Sequence, residues 1–368
     1  HPTQASLYRI IKVSPWGNPA TICVAGMPGT LEPPMKVFRG LPNDAARAPC
    51  ALTIGNFDGV HRGHQALLAR VRAASQALGL EAAVMTFEPH PREYFARRSG
   101  DLARAPARIA NLRDKLEDLA TAGIDRVIVE HFNEQFASIS PEDFTQRVLV
   151  DGLHVKWLMV GDDFCYGAKR AGNVEMLKEA GRRHGFAVET LPTVRAGDQR
   201  ISSSLVRAAL ADGDLVATGA LLGHPYAMSG HVIHGAKLGR TLGFPTLNLR
   251  VMHRPALQGI FVVQVHGLAE RPLPAVASLG VRPTVEDAGR MLLEVHIFDY
   301  DRPCYGKLVR VEFLEKLRDE EKYVDLDTLT AAIERDAQQA RAWFAGQRPQ
   351  HDARGAARAG ALTATDRI

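Results

Sequence analysis

Residues 52–64, Leu-Thr-Ile-Gly-Asn-Phe-Asp-Gly-Val-His-Arg-Gly-His, decide how the chain is read. A short apolar run stops at Gly55, and the small or turn-prone residues Asn56, Asp58 and Gly59 follow. His61 and His64 then stand three apart before an apolar-periodic segment begins. This succession predicts a strand, a tight loop and a helix N-terminus in one piece. Gly55 and Gly59 let the backbone approach a ligand closely, and the unpaired amides and positive dipole end of the helix favour an anion. Phosphate is the expected guest, with His61 and His64 placed to donate hydrogen bonds to its oxygens. The stretch lacks the Lys-Ser/Thr pair of a Walker loop and the third glycine of the dinucleotide fingerprint. A plain surface turn before a helix is the alternative reading.

Working outward, strands and helices alternate from Ala51 to Leu191. Strands are expected at Ala51–Ile54, Ala82–Phe87, Arg126–Glu130, Lys156–Val160 and Phe186–Glu189, and a further one at Lys36–Phe38. Helices are expected at Gln65–Leu78, Asn111–Ala122, Pro141–Val150 and Ala171–His184. Such alternation predicts a mostly parallel sheet covered on both faces. Ligands of these sheets gather at the carboxyl ends of strands. The polar clusters Asn56–His64, Glu88–Pro91, His131–Phe136 and Gly161–Phe164 all fall there, so distant residues are drawn into one site. His90 lines that site or packs in a turn. Ile201-Ser202-Ser203-Ser204-Leu205-Val206-Arg207 follows. The serines suit an N-cap, but a cation in the first turns is unfavourable unless an anion offsets it.

Beyond a junction at Gly223–Gly230 the character changes. Strand-like runs at Gly259–His266, Ala275–Leu279, Met291–Phe298 and Lys307–Leu314 alternate with Gly and Pro turns, predicting a small antiparallel barrel closed by a helix over Leu326–Phe344. The expected division is 35–222 and 223–346. Residues 1–34 read as an upstream extension dispensable for activity, with Met35 as the biological start, and 347–368 as a disordered tail. In the second half, Gly235, Lys237, Gly239 and Arg240 make a basic glycine loop ahead of Pro245-Thr246-Leu247-Asn248, unless that stretch is only a solvated hairpin. Glu294 and His296 share one face of an apolar strand, where an unpaired carboxylate needs a functional or structural reason.

The chain has 368 residues, enough for two domains, with a formal net charge of +4 and 23% charged residues. That mild basic bias suits small anionic substrates and does not require nucleic acid. Cys23, Cys50, Cys165 and Cys304 are far apart and lack metal-ligand spacing, which fits a reducing compartment. No membrane-spanning run or secretory leader is recognisable, so the cytoplasm is the expected location. Whether copies associate into a homo-oligomer stays open.

Gly55 to His64 resembles the nucleotide-binding signature of the bacterial bifunctional riboflavin kinase and FMN adenylyltransferase family, and further motifs follow in the family's order over about Met35–Phe344. The resemblance implies a Rossmann-like nucleotidyltransferase domain followed by a riboflavin kinase β-barrel. The first transfers AMP from ATP to FMN, giving FAD and pyrophosphate; the second phosphorylates riboflavin to FMN. It implies ATP contacts at Gly55, Phe57, Asp58, Gly59, His61 and His64, with Ser202, Ser203 and Arg207 gripping the pyrophosphate end. Asn111 to Lys115 (NLRDK) and Gly161 to Gly167, including Asp163 and Phe164, with Gly172 beyond, would shape the flavin and adenine pockets. In the kinase half it implies Gly235, Lys237, Gly239, Arg240, Thr246 and Asn248 around ATP, with Thr246 and Asn248 also holding Mg2+. Glu294 would be the base, and Arg318 either touches flavin or forms a salt bridge. Another nucleotidyltransferase, or a flavin-binding regulator without turnover, are the rival readings.

Overall fold

The computed structural model describes residues 20–22, 35–192, 194–196, 199–235, 243–281 and 291–347. The chain divides into two compact units. The first runs to Ala209 and also takes in Ala217–His224 and His253–Ala256. The second holds Leu210–Val216, Pro225–Met252 and the residues from Leu257 onward.

The first unit is built on a seven-stranded sheet: β1 (Ala20–Ile22), β2 (Met35–Arg39), β3 (Cys50–Ile54), β4 (Glu81–Glu88), β5 (Arg126–His131), β6 (Val155–Gly161) and β7 (Ala187–Leu191), in the order β1-β2-β5-β4-β3-β6-β7. All neighbours are parallel except β1, which pairs antiparallel with β2. β1 is a departure from expectation, since residues 1–34 carry no periodic signal; three residues pairing through backbone groups need none. β3 is buried at all five positions because both sheet faces are covered. Ala51, Val84, Val127 and Met159 face one apolar core with Leu68 and Val71 of α1 (Arg62–Leu78) and Leu116 and Leu119 of a later helix. Leu52, Ile54, Met85, Ile128 and Leu158 face the other, beneath Phe144, Leu149 and Leu177.

The crossover helices include α2 (Pro91–Ser99), α3 (Leu112–Thr121), the one-turn α4 (Glu134–Ala137), α5 (Pro141–Asp143) and α6 (Val174–His184). α5 passes into a π-helical stretch over Phe144–Val150, so the expected single helix there is wider in its second part. Strand order reverses at β3, with β4 on one side and β6 on the other. The glycine loop after β3 therefore opens at the topological switch point, where α/β sheets bind ligands.

After the β8 (Arg195–Ala196) and β9 (Gln199–Arg200) hairpin come α7 (Ser203–Asp212) and α8 (Leu215–Leu222). The second unit is a closed antiparallel barrel of six strands in the order β10-β11-β14-β13-β12-β15: β10 (Ala227–Ile233), β11 (Leu247–Arg250), β12 (Gly259–His266), β13 (Leu273–Val281), β14 (Met291–Ile297) and β15 (Leu308–Arg318). Sequence reading finds four of these. β10 was hidden by its Ser, Gly and His residues and β11 by its brevity, yet both are needed to close the barrel. Phe261, Val263, Leu279, Leu293, Val295 and Val311 fill the interior. α9 (Leu326–Gln347) lays Ala337 and Ala340 against Ile260, Val262, Val276 and Phe298. No helix among the described residues is long and apolar enough to cross a membrane.

Candidate active sites

In the first unit, α1 begins at Arg62, three residues earlier than its periodicity suggests, because His61 caps it. His61 Nδ1 accepts from the His64 backbone N–H at 3.3 Å. That bond leaves Nε2 as the protonated, outward-donating nitrogen of a neutral ring. The His61 and His64 rings stack at 3.7 Å. Burial pushes His61 down to about 4 despite the opposing pull of Asp58, and holds His64 well below its ordinary value, helped by the charges of His61, Lys115 and Arg207. Both histidines are therefore neutral N–H donors at pH 7.

The loop itself is strained. Phe57 and Val60 have φ of 47° and 32°, unusual for non-glycine residues and for a β-branched one above all. At Gly59 (φ 83°) a Cβ would meet Ile109 Cγ2 at 2.4 Å, so only glycine fits. At Gly55 a Cβ would stand 3.1 Å from the Phe57 ring, a tight approach that is less severe than the one at Gly59. Phe57 itself is buried beneath His64, 4.9 Å between ring centres, so it props the histidine from inside the core.

Asp58 is 1% exposed, and its carboxylate accepts from the backbone N–H groups of Ile109 and Ala110 and from Arg207 Nη2 at 2.6 Å. Arg207 also donates to the Ala107 carbonyl at 2.7 Å, and Ser203 Oγ donates to the Asp58 carbonyl at 3.1 Å. Ser202 caps α7 through the Leu205 N–H. Asp58 thus joins the glycine loop, the 107–110 segment and the first turns of α7. The offset that Arg207 needs at a helix N-terminus comes from this protein carboxylate. Replacing one member of a buried ion pair costs about 3–5 kcal/mol. Asp58→Asn is expected to lower the melting transition of the first unit and slow FAD formation about tenfold, with FMN formation unchanged, as calorimetry and separate assays of the two products would read.

Asn111 caps α3, its Oδ1 accepting from Asp114 N–H at 2.9 Å, and His90 caps α2, its Nδ1 accepting from Arg92 N–H at 3.1 Å. Each thereby holds the start of a helix in place. Asp163 is exposed and paired with Arg200 at 3.0 Å. Phe164 stacks parallel to Tyr166, which joins Phe144, Phe136, Phe132 and Phe87 in a chain of aromatic contacts past the carboxyl ends of β4 and β5. Gly167 admits no side chain, since a Cβ would lie 2.8 Å from the Pro141 nitrogen. Glu88, Glu93 and His253 converge closely enough to suggest a cation site. Arg108 already occupies their centre, however, bonded to Glu93 through two atoms and to Glu88 at 2.9 Å, so its guanidinium supplies the positive charge.

In the second unit, Asn248 of β11 and Glu294 of β14 are direct cross-strand partners, and Ser278 of β13 is the next in the row. Glu294 and His296 share the face opposite the wholly buried Leu293 and Val295, as the alternation predicted. Asn248 is 4% exposed and its Oδ1 has no hydrogen-bond partner among the described residues, an unused oxygen ligand of the kind a hard cation takes. Gly235 lies so close that a Cβ there would stand 2.3 Å from Asn248 Nδ2. His296 Nδ1 bonds the Pro245 carbonyl at 2.9 Å, fixing the entry to Thr246. Arg318 forms a two-point ion pair with Asp336 of α9, at 2.9 and 2.7 Å, which is the salt-bridge reading of that residue. Lys237, Gly239 and Arg240 lie outside the described residues.

Sequence reasoning missed Arg108 and Thr86 beside the first site and gave Lys115 no role of its own. Lys115 stood in the noted Asn111–Lys115 segment; Arg108 and Thr86 carry no local signal, because their partners are distant in sequence.

A family model described as FAD synthetase matches residues 43–205, and one described as riboflavin kinase matches 222–344. A bifunctional riboflavin kinase/FMN adenylyltransferase of Escherichia coli K12 is 45% identical over 318 residues, covering 86% of this chain and 100% of the relative. One from Haemophilus influenzae is 46% identical over 313 residues, covering 84% and 99%. A crystal structure described as a macrolide-efflux protein from Streptococcus pneumoniae superposes with a TM-score of 0.65 at 28% identity, covering 83% of this chain and 98% of that one. Two matched halves in this order, and relatives aligned across their full length, place the chain in the bifunctional riboflavin kinase/FMN adenylyltransferase family, as an enzyme that makes FMN from riboflavin and FAD from FMN.

Proposed function

We propose the following division of work among the residues. In the first unit, the amides of Gly55–Gly59 and the Nε2–H of His61, with the His64 ring, meet the phosphates of ATP. Aligning the FMN phosphate with the α-phosphorus and stabilising the spreading negative charge carry the rate, since little covalent help is needed. The first turn of α7, from Ser202 and Ser203, faces the pyrophosphate end, and Asp58 holds Arg207 in register with it. Phe164 and the aromatic chain beside it receive the isoalloxazine ring, with Asn111, Asp163 and Gly167 shaping the edges.

In the second unit, Glu294 accepts the proton of the riboflavin 5'-hydroxyl as that oxygen attacks the γ-phosphorus of ATP, and the bond from that phosphorus to the bridging oxygen breaks to release ADP. Thr246 and Asn248 hold Mg2+ with ATP, and Gly235, Lys237, Gly239 and Arg240 surround the phosphates. The metal, when bound, neutralises phosphate charge; the orientation of hydroxyl and base belongs to the protein. The observation that carries this reading is the cross-strand placement of Asn248 beside Glu294, with an unused buried oxygen on the asparagine. The substrates are small molecules in the cytoplasm, and no nucleic acid or membrane takes part.

Purified protein given riboflavin, ATP and Mg2+ is expected to accumulate FMN first and FAD after it, with both products absent when Mg2+ is chelated. FAD without an FMN phase in a dilute, stopped time course would overturn the two-site order.

A further inference from the structure

Lys115 is one of the largest wholly buried side chains of the protein, 1% exposed, although it is a lysine. It lies on α3, in the second turn after the Asn111 cap, and its ammonium donates to Thr86 Oγ1 at 3.3 Å. Thr86 Oγ1 in turn donates to the Asn56 carbonyl at 3.1 Å, inside the glycine loop. Asn56 Oδ1 and His64 Nδ1, in the same loop and helix start, are buried and carry no hydrogen bond among the described residues.

The charges facing this ammonium are Arg108, Asp58, Glu88 and Glu93, and its own charge is felt at His64 and His90. Each of the three acids already touches an arginine: Asp58 touches Arg207, and Glu88 and Glu93 touch Arg108. Among the described residues the ammonium has no carboxylate in contact. Burial of such a group is expensive, and proteins keep buried lysines where an anion or a proton transfer uses them. Consistently, burial and then Arg108 push Lys115 down to about 8, so near neutral pH it holds its proton but gives it up readily.

The geometry points to Lys115 as a positioning residue for adenylyl transfer. It fixes the glycine loop through Thr86 and Asn56, and while protonated it supplies a positive charge beside the stacked histidines that the polyphosphate of ATP offsets. The ammonium acts through the loop and its field and does not touch the nucleotide. This rests on the assignment of adenylyl transfer to His61 and His64.

Lys115→Met keeps the length of the side chain and removes the charge. FAD formation from supplied FMN is expected to fall about 50-fold in kcat, with riboflavin phosphorylation unchanged and the melting temperature of the full chain equal or higher, because a buried charge has gone. The wild-type kcat/KM should decline from pH 7 to 9 with a midpoint about 8, as Lys115 of the free enzyme loses its proton, and this decline should vanish in the variant. FAD formation within threefold of wild type, or a lost rate that keeps the alkaline decline, would overturn the role. If Lys115→Met does not fold, the wild-type profile decides: no decline of kcat/KM between pH 7 and 9 overturns it. His64→Ala made alongside separates the cases, since a normal rate there removes the site and a normal rate only at Lys115→Met removes the lysine.

Discussion

His64→Ala is expected to slow FAD formation by about 10²–10³-fold while FMN formation continues at its normal rate. Removing one preorganised donor aimed at developing charge typically costs that much, about 3–4 kcal/mol in the barrier. The structure gives two reasons for the upper end. His64 is stacked on His61 and propped by Phe57, so its orientation is set before any ligand arrives. Its neutrality, enforced by burial and by the nearby charges of Lys115 and Arg207, makes it a donor that needs no change of protonation at pH 7. The alanine variant also strips the stacking partner from His61, so the loss exceeds that of one hydrogen bond. His64→Gln, which keeps an N–H donor, should recover part of the rate. Separate assays with riboflavin and with FMN as acceptor read the two activities, and near-normal adenylyl transfer in the alanine variant would remove His64 from the chemistry.

Glu294→Gln is expected to reduce riboflavin phosphorylation by about 10²–10⁴-fold, the usual contribution of a general base, while supplied FMN is still converted to FAD. Glutamine fills the same space on the outer face of β14 and leaves the wholly buried Leu293 and Val295 undisturbed, so the barrel should melt as before. Loss of rate without loss of stability is the signature. A kinase rate within threefold of wild type would exclude the carboxylate as base and leave it a structural neighbour of Asn248.

The two sites were legible in the sequence to different degrees. The parallel sheet and the helix after Gly59 followed from apolar alternation and from one glycine-rich turn, because a strand buried on both faces and a helix cap are both local patterns. The barrel was only partly legible. β11 is four residues long and begins inside Pro245-Thr246-Leu247-Asn248, so its pattern is too short to register, and the pairing of Asn248 with Glu294 depends on that strand. Several ligand assignments met residues with structural duties. Asp58, Asn111 and His90 each accept from backbone N–H groups through a side-chain atom, and Phe57 is interior. A cap and a phosphate contact ask for the same residue types at the same place, so sequence spacing could not separate them. Lys115 shows the converse, since nothing in a helical Leu-Arg-Asp-Lys announces a buried cation.

The four residues His253–Ala256 follow β11 and precede β12, yet they belong to the first unit, where Arg254 and Ala256 bond the backbone of Arg108 at 2.7 and 3.0 Å. A single breakpoint near residue 222 would give an N-terminal product missing the lining of its own Arg108, and a C-terminal product carrying it away. An N-terminal piece ending there would need His253–Ala256 supplied again to restore the two backbone bonds at Arg108.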